Sequence, residues 1–239
     1  MRVIFLVLVA CLSASAALYN IDQPVPISLA HAEYYVSGRL WGDGGVMMRF
    51  GLGLWDRLTL GISYGGNSVL GAEKPKLFDR YRPDFQARLA ILTEKGYTPD
   101  LVLGFESQGY DDCDSQVFQV REKGGYVCAG KTVDAIRTYC QLGFNYWGGL
   151  DGFLALNTSL PGNVELMLEY DLAQFNYGEE YRLDRTNPRY LKRRGFLNFG
   201  VGWTVAEKVR LALALRDILG NREQTARNRV LEVSISDRF

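Results

Sequence analysis

Apolar residues recur at every second position along most of the chain. Between residues 136 and 147, Cys140, Leu142 and Phe144 fall on one face, whereas Gln141 and Asn145 fall on the other. This period of two predicts β-strands with two different faces, and helical spacing is scarce. Twelve such stretches occur, at residues 32–40, 46–54, 58–64, 85–91, 101–105, 126–131, 136–147, 152–158, 163–175, 195–203, 209–216 and 230–239.

The connections between these stretches alternate between short and long. Short turns are expected at residues 55–56, 94–97, 132–135, 160–162 and 204–207, and the other connections at 41–45, 65–84, 108–125, 148–151, 176–194 and 218–228. Hairpins wound around a barrel place tight turns at one end and longer loops at the other. The pattern predicts an all-β fold, an antiparallel up-and-down transmembrane β-barrel of about 12 strands.

Composition excludes several other classes of protein. Lys+Arg and Asp+Glu both number 27, so no net field directs the chain towards nucleic acid. No apolar run reaches the roughly 18 residues of a membrane-spanning helix. The single histidine, His31, excludes zinc sites built from several imidazoles. We expect no nucleic-acid partner, no metal and no cofactor.

The first residues have the pattern of an export signal. Arg2 supplies a positive charge, residues 3–12 are apolar, and residues 14–16 form a small-x-small cleavage box. The apolar stretch is too short to span a bilayer. We predict a signal peptide over residues 1–17 and a barrel over residues 18–239, located in the bacterial outer membrane.

The last strand favours the same location. Leu231, Val233, Ile235 and Phe239 share one face, and the chain stops at Phe239. This arrangement resembles the terminal aromatic signal by which bacterial outer-membrane barrels are recognised for assembly, although Asp237 departs from it. The expected partners are the barrel-assembly machinery, outer-membrane lipid and lipopolysaccharide, and the barrel itself is expected to be a monomer.

The polar faces of the strands carry charges of both signs, which suit a wet lumen. The predicted lumen-lining residues are Glu33, Arg39, Arg49, Arg88, Glu106, Arg137, Glu165, Glu169, Asp171, Arg210, Arg216 and Glu232. The acidic residues of the strand at 163–175 lie two strands away from Arg210 and Arg216. These opposite charges either form a transverse field that orients a polar solute, or pair and close the lumen.

The connection at residues 176–194 is basic and aromatic. Guanidinium groups fork onto phosphates and carboxylates, so this loop is a candidate site for lipopolysaccharide phosphates or an anionic glycan. An ordinary solvated loop is the alternative. The candidate ligand-binding residues are Arg182, Arg185, Arg189, Tyr190, Lys192, Arg193 and Arg194.

Candidate catalytic chemistry is sparse. Twelve-stranded outer-membrane barrels include a phospholipase that uses Ser and His, so His31 is a candidate general base. The chain contains no G-x-S-x-G motif, and a structural role for His31 is favoured. Asp111, Asp112 and Asp114 offer oxygen donors for Ca²⁺ but lack the spacing of a known calcium loop. We predict no catalytic residue, no metal site and no enzymatic activity.

The cysteines leave three alternatives open. Cys128 and Cys140 flank the turn near residues 133–134, so a tight hairpin would place them opposite each other for a disulfide. Pairing of Cys113 with Cys128 is the rival, and free thiols are the third alternative.

Short segments carry a resemblance to a known family. They are YTPDLVLG at residues 97–104, LPGN at 160–163 followed by LMLEYD at 166–171, and RDILGN at 216–221. These segments resemble YjbH-like bacterial outer-membrane β-barrel proteins, a family associated with exopolysaccharide production or export. The resemblance implies a single-barrel relative of that family, with polysaccharide as a further partner.

Two functions follow from these observations. The first is a narrow pore or accessory for a polar solute or saccharide, linked to polysaccharide export by the resemblance. The alternative is a closed structural barrel whose extracellular loops bind surface glycan or lipopolysaccharide without transport.

Overall fold

The computed structural model describes residues 17–71, 74–77, 83–109, 120, 122–147, 149–173, 195–221 and 229–239. Within these ranges, no helix is long and apolar enough to cross a membrane. The helical elements there are two single turns of 3-10 helix, Gly42–Gly44 and Asp134–Ile136.

Twelve long strands and one short strand account for most of the described residues. The strands are β1 (Glu33–Trp41), β2 (Gly45–Leu54), β3 (Leu58–Asn67), β4 (Lys76–Leu77), β5 (Asp84–Leu92), β6 (Asp100–Glu106), β7 (Gly124–Val133), β8 (Thr138–Tyr146), β9 (Leu150–Leu160), β10 (Val164–Asp171), β11 (Phe196–Thr204), β12 (Val209–Leu215) and β13 (Arg229–Arg238). Each long strand coincides with one of the predicted stretches to within a few residues. The two-residue strand β4 was not predicted.

The long strands form a closed barrel. Each pairs antiparallel with its neighbour in sequence, β3 pairs with β5, and β1 pairs with both β2 and β13, which closes the ring. The closing register runs from Glu33 opposite Arg238 to Trp41 opposite Val230. The short β4 extends the edge beside β3. The predicted antiparallel 12-stranded barrel is therefore confirmed.

The period of two separates an inner face from an outer face on each strand. On β13, the apolar side chains of Leu231, Val233 and Ile235 are 37–41% exposed, whereas Glu232 and Ser234 are buried. The same alternation continues around the ring and gives an outer surface that is largely aliphatic and aromatic. This belt is the surface that a transmembrane barrel presents to lipid. Its members include Phe50, Leu60, Ile62, Phe85, Leu103, Leu142, Phe144, Leu154, Phe199 and Leu213.

One predicted placement is wrong, and one of the three alternatives for the cysteines is excluded. Arg137 does not line the lumen, because it precedes β8 in an exposed turn with a left-handed backbone (φ 49°). Cys128 and Cys140 do not face each other, because the hairpin register pairs Cys128 with Gly143 and Lys131 with Cys140. Cys128 is buried on the inner face, and both cysteines are free thiols.

Candidate functional site in the barrel lumen

The segment that precedes β1 lies inside the barrel. We call residues 18–30 the plug. Leu18, Tyr19, Ile21, Gln23 and Leu29 are each no more than 2% exposed, although they belong to no strand of the wall. The periodicity of the sequence predicts no element over this segment. The lumen therefore contains a piece of the chain as well as the side chains of the strands.

The plug is a compact hairpin. The backbone N–H of Val25 donates to the carbonyl of Leu18 at 3.0 Å, and the N–H of Asn20 donates to the carbonyl of Gln23 at 2.9 Å. Proline at positions 24 and 26 removes two backbone donors and prevents a longer strand ladder. The backbone N–H groups of residues 21–23, in the turn of this hairpin, donate to the wall.

The Asp22 side chain binds the basic side of the lumen. Its Oδ1 lies 2.8 Å from Nη1 of Arg39 on β1, and its Oδ2 lies 2.9 Å from Nε of Arg216, which follows β12. Arg39 also donates to the carbonyl oxygen of Ile21. The Nε of Arg39 is held by Glu232 on β13 at 2.7 Å. The contacts of Arg39 with Asp22 and Glu232 are charge-assisted hydrogen bonds, which are the strong class, and the contact of Arg216 with Asp22 is an ion pair.

The backbone of the same turn binds the acidic side of the lumen. The N–H groups of Ile21, Asp22 and Gln23 donate to Oε2 of Glu169 on β10, at 3.1, 3.0 and 2.9 Å. The side chain of Asn198 on β11 donates to Oε1 of the same carboxylate at 2.9 Å. Glu169 is fully buried, so these donors replace the water that a carboxylate would otherwise bind.

Tyr19 binds a third part of the wall. Its hydroxyl oxygen lies 2.5 Å from Oε1 of Gln86 on β5 and 2.7 Å from Oε1 of Glu106 on β6. The guanidinium carbon of Arg49 is 4.1 Å from the centre of the tyrosine ring, and that of Arg88 is 5.1 Å away. These are cation–π distances.

The base of the plug fits closely against β2 and β3. Leu29 N–H donates to Oγ1 of Thr59 at 2.8 Å, and the Ser28 and Thr59 hydroxyls are 2.9 Å apart. A Cβ atom at Gly53 would lie 1.9 Å from the carbonyl oxygen of Ala30. The wall therefore needs glycine at position 53 for the plug to pass.

The plug and the wall together close the described lumen. Arg88, Arg216 and Glu169 are at most 2% exposed. Side chains that face an open aqueous channel would be in contact with water, as charged groups usually are. The described conformation therefore keeps these charged side chains out of contact with water.

The predicted lumen residues, apart from Arg137, lie on inward-facing positions. Arg39, Arg49, Arg88, Glu106, Glu169, Arg210, Arg216 and Glu232 are buried, and Glu33, Glu165 and Asp171 are half-buried. Arg210 pairs with Glu165 across β11, and Asp171 accepts from Nε2 of Gln23 at 2.8 Å. The opposite charges of β10 and β12 are thus bridged both directly and through the plug.

His31 lies at the end of the barrel that carries the short turns. Its backbone N–H donates to Oδ1 of Asp56 at 2.7 Å, and its Nδ1 accepts from the Trp55 N–H at 3.2 Å. The His31 carbonyl accepts from Nε of Arg238 at 2.9 Å. These contacts join the plug, the β2–β3 turn and the last strand, which is a structural arrangement.

Several predictions fall outside the described residues. These are the signal peptide, the acidic residues Asp111, Asp112 and Asp114, Cys113, and the basic loop with Arg182, Arg185, Arg189, Tyr190, Lys192, Arg193 and Arg194. Among the residues that the structure does describe, no group of three or more His, Cys, Asp or Glu side chains is placed to hold a metal ion.

No protein-family model and no curated protein matches the chain. Among solved structures, a NanC porin is similar, with 9% identity over 86% of this chain and 98% of that chain and a TM-score of 0.44. An active-site mutant of outer membrane phospholipase A from Escherichia coli is 13% identical over 92% of this chain and 93% of that chain, with a TM-score of 0.43. A Salmonella typhi outer membrane phospholipase dimer with bound calcium is 14% identical over 94% of this chain and 98% of that chain, with a TM-score of 0.42.

The comparisons contradict the prediction of no enzymatic activity. Two of the similar chains are outer membrane phospholipases. The prediction relied on the lack of a motif in sequence order, whereas catalytic groups are recognised by their geometry in the fold. The YjbH-like resemblance remains a prediction.

Proposed function

We propose that this protein is an outer-membrane β-barrel that passes a small polar solute when the plug leaves the lumen and is closed while the plug is bound. The observation that carries the proposal is the set of polar contacts between the turn of the plug and the wall. Asp22, the backbone of residues 21–23 and Tyr19 all bind charged or hydrogen-bonding side chains of the strands.

Apolar packing also holds the plug, since Leu18, Ile21 and Leu29 lie in buried clusters with wall side chains. The polar contacts of the turn are the ones that support a removable plug. Water or a polar solute replaces a hydrogen bond to the wall at small net cost, whereas an apolar interface would be expensive to hydrate. The wall around the plug also carries uncharged polar side chains such as Ser37, Thr59, Gln86 and Ser234. A lumen with this lining is typical of barrels that hold water or a plug.

The membrane setting is supported by the outer surface. The apolar belt around the strands is exposed on the face that points away from the lumen, which is the arrangement that lipid stabilises. The proposal includes three partners of the protein, namely lipopolysaccharide, the barrel-assembly machinery and, through a link to export, polysaccharide. These partners rest on the sequence pattern and the YjbH-like resemblance.

The test is single-channel conductance in a planar bilayer. We expect the refolded chain to be silent or to open rarely, and a variant that lacks residues 18–27 to conduct steadily. The heat-dependent shift on gel electrophoresis, which reports a folded barrel, is measured on both proteins before the recording. A folded plug-deletion variant that stays silent would overturn the pore and favour the closed structural barrel.

A matched control separates plug removal from general damage. Asp237→Ala breaks an exposed ion pair with Lys208 on the wall and leaves the plug intact. We expect this variant to remain as silent as the unaltered chain. Steady conductance of Asp237→Ala would show that any perturbation of the barrel opens it, and the role of the plug would be lost.

A further inference from the structure

The turn of the plug binds the wall through two chemically opposite groups of one residue. The carboxylate of Asp22 binds Arg39 and Arg216, and the N–H of Asp22 binds Glu169. Within aspartate, the nitrogen and the carboxyl carbon are separated by three covalent bonds. The cationic and the acidic parts of the wall therefore lie close enough for one small molecule to bind both.

Both parts of this site are held in place by the wall itself. Arg39 is fixed by Glu232 at 2.7 Å, and Glu169 is fixed by Asn198 at 2.9 Å. These contacts join strand to strand and do not involve the plug. Because the binding groups are pre-organised, the site remains when the plug leaves, and a ligand need not order it.

The chemistry of the site selects a class of ligand. Two guanidinium groups suit a carboxylate, and a buried carboxylate suits a hydroxyl or amine donor. The ligand must carry both at the spacing found in aspartate. Sugar acids meet this condition, since D-glucuronate has a hydroxyl oxygen three bonds from its carboxyl carbon.

We infer that the plug occupies a ligand site of the lumen, and that this site binds small hydroxycarboxylates, the sugar acids in particular. In the plugged barrel, the carboxylate and the N–H of Asp22 take the place of the carboxylate and the hydroxyl of such a ligand. This inference rests on the proposed function in one respect, namely that the plug leaves the lumen. It deepens the proposal, because it assigns the class of solute that the open barrel recognises.

The main experiment uses the variant that lacks residues 18–27. D-glucuronate is added during single-channel recording, and acetate and D-glucose serve as probes with only the carboxylate or only the hydroxyls. We expect glucuronate to interrupt the current at a concentration about tenfold lower than either probe, since it makes both sets of contacts. Equal potency of glucuronate and acetate would overturn the inference.

A second substitution checks the location. Arg216→Gln in the deletion variant removes one of the two guanidinium groups while the strands remain. We expect most of the roughly tenfold advantage of glucuronate over glucose to be lost. Arg57→Gln, at a turn residue that is exposed, is the matched loss of an arginine and should leave that advantage unchanged. An unchanged advantage in Arg216→Gln would place the binding elsewhere.

Calorimetric binding of glucuronate to the same variant separates this inference from the proposed function. Binding without conductance would overturn the pore and keep the ligand site. Conductance with no binding and no block would keep the pore and overturn the ligand site.

If the deletion variant does not fold, the site is tested in the full chain with Asp22→Ala. This variant lacks only the carboxylate between Arg39 and Arg216. We expect sodium acetate to raise its melting temperature more than sodium chloride at equal ionic strength, and to have no such effect on the unaltered chain. No difference between the two salts would contradict the site.

Discussion

Two ion pairs of this barrel have the same length and opposite surroundings. The Arg39–Asp22 and Lys208–Asp237 pairs both have a nitrogen–oxygen distance of 2.8 Å. The side chains of the first pair are 3% and 4% exposed, and those of the second are 57% and 31% exposed. Water competes for the second pair and is excluded from the first, so an equal distance does not imply an equal contribution.

The comparison indicates that buried ion pairs, and not exposed ones, stabilise the plugged state. Exposed pairs at the rim contribute little to stability, whereas breaking a buried pair leaves its partner charged and away from water. The plug is held by contacts of the buried kind. Substitutions in the lumen should therefore change the closed state strongly, and similar substitutions at the rim should not.

The largest effect is expected for Asp22→Ala. Loss of one partner from a buried ion pair costs about 3–5 kcal/mol, and here the cost falls on docking of the plug. The fraction of time spent open should rise by more than about a hundredfold, as measured by single-channel recording. A variant that stays closed as often as the unaltered chain would contradict the role of this pair.

A smaller effect is expected for Glu169→Gln. The glutamine keeps the shape of the side chain and one acceptor oxygen, but it loses the charge that three N–H groups of the plug bind. Docking should weaken by about 1–3 kcal/mol, measured by the same recording.

The combination with Asp22→Ala sharpens this result. Asp22 belongs to the turn that Glu169 binds, so the combined loss should be smaller than the sum of the single losses. Strict additivity would show that the two contacts act independently, against the description of the turn as one unit.

The partly exposed pair of Glu94 and Lys131 tests an intermediate case. Glu94 lies in the turn between β5 and β6 and accepts from the Thr132 N–H at 2.9 Å and from Nζ of Lys131 at 3.3 Å. Partial burial alone would raise the pKa of Glu94, but the hydrogen bonds from Thr132 and Lys131 lower that pKa below its ordinary value. The contribution of Glu94 to stability is therefore present at neutral pH and lost as the pH falls through the lowered pKa.

Glu94→Gln should remove this pH dependence. We expect a small loss of unfolding free energy at pH 7 and none below the titration range of carboxylates, measured by urea unfolding at both pH values. A loss of equal size at both pH values would point to packing rather than charge.

The smallest effect is expected for Asp237→Ala. The pair with Lys208 is exposed, so unfolding should change little, and added salt should remove any difference that remains. A loss as large as that of Asp22→Ala would break the comparison, because burial would then not separate the two pairs.

The wall of the barrel was predictable because its two faces meet different surroundings. Lipid outside and polar groups inside impose a strict period of two, which a single sequence displays. The residues of β13 illustrate this, with Leu231, Val233 and Ile235 outside and Glu232 and Ser234 inside. The differences concern residues beside one turn. Arg137 and the pairing of Cys128 with Cys140 depended on the position of one turn, and a shift of register moves every partner along the strand.

The plug was not predictable from periodicity. Its contacts join residues distant in sequence, and its prolines prevent both the spacing of a helix and the spacing of a strand. One signal was present, namely Asp22 as the one charged residue of the segment at 18–30 after the predicted cleavage box. A single acidic residue in such a segment indicates a buried partner of opposite charge, but the sequence does not identify Arg39 or Arg216 among many arginines.

The position of the plug in the chain constrains the order of folding. Tyr19 binds Gln86, which is 67 residues away, and Ile21 binds Glu169, which is 148 residues away. Such separations carry a high entropic cost of loop closure and slow the step that forms the contact. The plug precedes the strands in sequence but must wait for strands that lie far beyond it. Its docking should therefore appear as a late kinetic phase that Asp22→Ala alters while strand formation proceeds unchanged.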